Sequence, residues 1–106
     1  MSNKVYQKIK PDTDFSSIDH IVIGSGIGGL TVASWLAKAG KKVVVLEKHF
    51  KPGGFTHSFK REKGFEWDVG VHYIGNVGDG ESLHKLFGYL TNYKVKWQTL
   101  GTTYDV

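Results

Sequence analysis

The chain has 106 residues, enough for one small domain, and no cysteine, which excludes disulfides, thiolate catalysis and cysteine metal sites. At 40% hydrophobic and 23% charged it has a soluble globular composition, and no run reaches the ~20 apolar residues of a membrane span. The net charge of +4 comes from scattered lysines and the single Arg61, which argues against a nucleic-acid partner but suits a phosphate-bearing cofactor or anionic lipid.

Residues 1–18 are polar, contain Pro11 and show no periodicity, predicting a flexible lead-in to a domain over 19–106. They lack the apolar stretch of a secretory signal, so the expected compartment is cytoplasmic. Ile21-Val22-Ile23 is a β-branched run ahead of glycines and reads as a buried strand of a parallel sheet. Residues 27–39 suit a helix, with Gly29, Ala33 and Ala37 as a stripe of small side chains. Gly40 marks its end, among Lys38, Lys41 and Lys42, which suit the negative end of the helix dipole. Val43-Val44-Val45-Leu46 is a second buried-type strand, ending at Glu47. Together these elements predict an α/β fold built on a right-handed βαβ unit, part of a Rossmann-like domain.

Downstream, Phe65, Trp67 and Val69 alternate with Glu66 and Asp68, as in a half-buried strand, and residues 56–61 and 65–69 are expected to pair as a hairpin. "ESLHKLFGYL" (81–90) places Leu83, Leu86, Phe87 and Leu90 on one helical face, read as core-facing rather than membrane-seeking. "KVKWQTL" (94–100) reads as a further strand, and Trp67, Tyr73 and Trp97 as core. "TTYDV" follows with no turn or cap behind it.

The chemistry sits in "GSGIGG" (24–29), where Gly24, Gly26 and Gly29 fit G-x-G-x-x-G after a strand and at the start of a helix. Gly24 permits the turn out of the strand. Gly26 leaves no Cβ between backbone and a pyrophosphate, and is expected to need a positive φ. Gly29 lets the helix lie close to the strand. The helix N-terminus then offers free N–H groups to the phosphates. Glu47, 23 residues after Gly24, stands where an acidic residue accepts a hydrogen bond from the adenosine ribose. Its charge would repel a 2′-phosphate, which argues against NADP in this site. Ser25, Ile27, Gly28 and Lys48 complete the predicted contacts of this half of the cofactor. Spacing by itself leaves three readings: an FAD enzyme, an NAD-dependent dehydrogenase, or a non-catalytic FAD- or ADP-binding module.

"VVVLEKHFKPGGFTHSF" (43–59) and "GFEWDVGVHYIGN" (64–76) resemble the flavin enzymes of the phytoene desaturase, carotenoid isomerase and retinol saturase group. Within it, they are similar to the bacterial retinol-reductase-like branch. The resemblance runs from about Asp19 to Leu100. It implies FAD, with its pyrophosphate on Gly24, Gly26 and Gly29 and its ribose on Glu47. Gly53 and Gly54 would bring backbone to the cofactor's middle, and Gly70, Val71 and His72 would pass near the flavin ring. Phe55 stands where amine-oxidase relatives carry Arg after the paired glycines, which sets this chain apart from that branch.

The resemblance also implies a longer protein, with later FAD-contacting strands and a substrate domain. That parent would saturate, desaturate or isomerise an apolar polyene such as a retinoid or carotenoid, with NAD or NADP as a candidate electron donor. A peripheral membrane contact is compatible with such a substrate. Alone, the 106 residues are expected to be inactive and to self-associate through an uncovered strand edge or sheet face. No catalytic residue is assigned. No set of histidines and carboxylates has metal-ligand spacing; His57 and His72 fall in the cofactor-side segments, and His20, His49 and His84 read as surface residues.

Overall fold

A computed structural model describes residues 6–101 of the chain. The two β-branched runs form β1 (His20–Ile23) and β2 (Val43–Leu46), joined by α1 (Ile27–Lys38). The strands pair in parallel, with His20 opposite Val43 and Ile23 opposite Leu46, so the expected βαβ unit is present. Its base is closed by Asp19, whose carboxylate accepts from the Lys42 N–H at 2.8 Å. At the end of α1, Gly40 takes φ 79° and its N–H donates to the Ala37 carbonyl. The Lys41 N–H donates to that of Leu36, so the left-handed turn satisfies carbonyls the helix leaves open.

α1 rests on the sheet by its small side chains. A Cβ on Gly29 would stand 2.1 Å from the Gly24 carbonyl oxygen and 3.4 Å from Val22 Cγ1. Ala33, one turn on, is buried. Ala37 is exposed, contrary to the full stripe read from the sequence. It lies about 12 Å along the helix from Gly29, whereas β1 runs back only about 7 Å from Val22 to its first residue.

The opposite face of the sheet departs from the expected burial. Ile21 is 51% and Ile23 87% exposed. Alternate strand residues point to opposite faces, and among the described residues the helix packed on this sheet is α1, while α2 (Ser82–Thr91) packs on α1 instead.

The hairpin consists of β3 (Ser58–Lys60) and β4 (Glu66–Asp68), antiparallel, with Phe59 opposite Trp67. A tight turn at Glu62–Gly64 joins them, with Lys63 and Gly64 both at positive φ. It forms a separate sheet, so Phe65, Trp67 and Val69 are exposed rather than half-buried, and Tyr73 is exposed rather than core. The strand expected over 94–100 is absent. Asn92 and Tyr93, at φ 52° and 54°, turn the chain back so that the Tyr93 ring lies on Gly88. Trp97 then sits 5.6 Å from the Phe87 ring, over α2 and away from any strand edge. Of the lead-in, residues 6–18 include two turns, closed by Thr13 N–H to Lys10 O and Ile18 N–H to Phe15 O. Residues 1–5 and 102–106 lie outside the described part. No described helix is long and apolar enough to cross a membrane.

The same substitution should act with opposite sign at adjacent glycines of α1. Gly29→Ala should destabilise by about 1–3 kcal/mol, the range for overpacking, because its Cβ meets backbone. Gly28→Ala meets nothing within 4 Å and should stabilise by up to about 1 kcal/mol as helix entropy is regained. Denaturant unfolding of the two variants checks both signs.

Candidate dinucleotide-binding site

β1 ends in Gly24, whose φ of 93° turns the chain toward α1 while its N–H donates to the Leu46 carbonyl at 2.7 Å. Gly26 caps the helix at φ −65° and ψ 173°, an extended conformation open to any residue. The positive φ expected at Gly26 therefore belongs to Gly24. Gly26 is needed for space, since a Cβ there would project into the open with nothing within 4 Å. The first helical bond runs from Leu30 N–H to Gly26 O, so the N–H groups of Ile27, Gly28 and Gly29 have no carbonyl within the helix. The first turn of α1 carries no acidic side chain. Free donors, a positive dipole end and a first turn without acidic residues suit an anion.

Glu47 reaches this turn from the end of β2. Its Oε2 accepts from the Ser25 N–H at 2.8 Å and the Ser25 hydroxyl at 2.5 Å, and its Oε1 from the His49 N–H at 2.8 Å. A carboxylate offers about four acceptor positions; the Lys48 N–H adds a further, weaker contribution, and the exposed edge of the side chain is where a ligand hydroxyl would donate. These donors, the Ser25 hydroxyl first, hold the Glu47 pKa down to about 2 from its ordinary 4.5. The side chain is thus an exposed anion at neutral pH, as recognition of a ribose hydroxyl requires. Lys48 follows on the exposed surface of the same loop.

The paired glycines join the same turn. Gly53, at φ 119°, donates its N–H to both the carbonyl and the hydroxyl oxygen of Ser25, at 3.0 and 3.1 Å. Gly54 takes φ 56°, and a Cβ on it would stand 2.9 Å from Gly26 Cα. Two stretches far apart in sequence thus press backbone to backbone. Ser25, 1% exposed, is the centre of this arrangement. It is a residue whose linking role had no signature in the sequence beyond its place between two glycines.

Gly70, Val71 and His72 are one step further out. A Cβ on Gly70 would meet the Phe55 ring at 3.0 Å, and the Val71 N–H donates to the Phe55 carbonyl. His72 is exposed beside Asp68 at 3.8 Å. Val71 and His72 line an open groove of about 860 Å³ with Tyr73, Ile74 and Trp97, to which the glycine turn contributes nothing. His57 and His49 stack with ring centroids 5.0 Å apart, a proximity the sequence did not announce. Among the described residues no three His, Cys, Asp or Glu side chains cluster as metal ligands.

The sequence profile of NAD(P)-binding Rossmann-like domains matches residues 22–90, and the chain belongs to that family. Its cofactor is accordingly a dinucleotide of the flavin or nicotinamide type. Among characterised proteins it is 49% identical to all-trans-retinol 13,14-reductase of Danio rerio over 88 residues, 83% of this chain and 14% of that one. The Homo sapiens reductase is 44% identical over 89 residues, 84% of this chain and 14% of that one. Prolycopene isomerase of Daucus carota is 48% identical over 66 residues, 62% of this chain and 11% of that one. These relatives place the chain in the retinol saturase and carotenoid isomerase group, of whose members it spans about one seventh. Reduced UDP-galactopyranose mutase superposes with a TM-score of 0.47, at 41% identity, on 52% of this chain and 12% of that one.

A group whose pKa is lowered in the folded state stabilises it fully above the ordinary value, and this contribution is lost as pH falls toward the lowered one. Glu47 should therefore support the turn at all pH above 4.5 and release it on acidification toward 2. Ser25→Ala removes the largest cause of the shift and should move the Glu47 titration back toward 4.5. Carbon NMR of glutamate-labelled protein reads this directly, since the chain has only four glutamates.

Proposed function

We propose that this chain is the FAD-binding N-terminal portion of a flavin-dependent oxidoreductase acting on an apolar polyene of the retinoid or carotenoid class. The observation that carries the reading is the joint cradle of Gly24–Gly29 and Gly53–Gly54, with a Gly54 Cβ only 2.9 Å from Gly26 Cα. A mononucleotide turn needs only the first stretch. Drawing a second backbone segment onto it extends the surface along a longer ligand, as the middle of FAD would require.

Substrate class is supported by the relatives, named for retinol and prolycopene, both long conjugated chains. A protein named as an inactive retinol reductase of Danio rerio is 42% identical over 101 residues.

When bound, the flavin supplies hydride and electron transfer. The residues described here bind and orient. The N–H groups opening α1 would receive the pyrophosphate, and the Glu47 carboxylate would accept from a ribose hydroxyl. Gly26 and Gly54 keep side chains out of the path, and the Gly70–His72 segment lies against Phe55, toward the far end of the cradle. An apolar substrate would be met by parts of the protein outside this portion.

Gly26→Val tests the cradle, because its φ is open to valine and its Cβ meets no protein atom. Stability should change by no more than about 1 kcal/mol, the scale of an N-cap substitution. The complete protein carrying the change should purify without flavin, seen as loss of the absorption band in the visible. Full flavin content with unchanged stability would overturn the reading.

A further inference from the structure

Ser25 is only 1% exposed, although it lies in a turn between strand and helix. Its hydroxyl has a determined polarity. The Gly53 N–H can only donate, so the hydroxyl oxygen accepts there, at 3.1 Å. The hydroxyl proton is then committed to Glu47 Oε2, at 2.5 Å. The result is a directed relay, Gly53 N–H to Ser25 Oγ–H to the Glu47 carboxylate, in which each bond polarises the next.

The turn does not need this hydroxyl for its shape. The Ser25 N–H to Glu47 bond and the Gly53 N–H to Ser25 carbonyl bond are both made by backbone. An alanine would keep them. What the hydroxyl adds falls on the carboxylate, to whose Oε2 it brings a second donor. The Ser25 and His49 N–H groups already hold the carboxylate from the backbone, and the hydroxyl narrows its remaining freedom at an exposed strand end before any ligand arrives.

We infer that Ser25 is a positioning residue for nucleotide recognition, its hydroxyl orienting the Glu47 carboxylate toward a ribose hydroxyl and tying it to the paired-glycine loop at Gly53. The inference rests on the dinucleotide reading of the site and deepens it. Without the hydroxyl, the carboxylate's remaining freedom would have to be lost on binding, and ordering one side chain weakens affinity by roughly 2- to 12-fold, an upper range here because two backbone donors stay in place.

The test is a double-substitution cycle in the complete, cofactor-free protein, with adenosine diphosphate and inorganic pyrophosphate as probes in calorimetric titrations. Ser25→Ala should weaken adenosine diphosphate by roughly 2- to 12-fold, and should have no further effect once Glu47→Ala is present. Pyrophosphate, which lacks the ribose, should bind both forms of residue 25 alike. An unchanged adenosine diphosphate affinity, an additive loss in the Glu47→Ala background, or an equal loss for pyrophosphate overturns the inference and leaves the dinucleotide reading standing. Failure of the unsubstituted protein to bind adenosine diphosphate overturns both.

Discussion

The approach of α1 to β1 at Gly29 is the constraint on which the rest of the molecule depends. With hydrogen in place of a side chain, the helix start lies against the Gly24 carbonyl, where a Cβ would be only 2.1 Å away. That contact sets the direction in which α1 leaves the strand, and with it the direction of its free N–H groups. It also leaves Ser25 enclosed between strand end and helix start, so its side chain turns inward to Glu47. The free N–H groups of the helix start and the anchored carboxylate are two consequences of one close contact.

A second layer is built on the first. Gly53 uses its N–H on Ser25, and Gly54 lies against Gly26. Both glycines have positive φ, a conformation that side-chain-bearing residues adopt at a cost. From Gly54 the chain passes into the turn at Phe55 and Thr56, and the hairpin returns residues 69–71 to the same loop through Val69 N–H to His57 O and Val71 N–H to Phe55 O. Segments 24–29, 47–57 and 70–72 thus form one connected series.

The molecule is correspondingly poor in core. Ala33 is the buried hydrophobic residue of the described chain, and Ile23 stands 87% exposed on the sheet face away from α1. Polar and backbone contacts, rather than a large apolar interior, hold the site elements in register. Burial of apolar surface is ordinarily the dominant favourable term, so the geometry here leans on glycine packing and on the network around Ser25.

The sequence by itself determined the elements whose signals are local. β-branched runs, a glycine turn, small residues on a helix face and a glycine stop are set by neighbouring residues, and β1, α1, β2 and the hairpin followed. Glu47 was legible because its distance from Gly24 along a βαβ unit is constrained by the fold. Only the tertiary structure decided what depends on partners distant in the chain. Residues 94–100 have the composition of a strand, but strand pairing needs an available edge, and the turn at Asn92 and Tyr93 carries them to α2. Trp67 and Tyr73 are apolar enough for a core, yet burial needs a facing layer that the hairpin lacks. The seating of Gly54 on Gly26, and of Ser25 between Glu47 and Gly53, joins residues 22 to 28 positions apart through hydrogen bonds and van der Waals limits. No periodicity records such contacts, because they depend on where two turns meet in space.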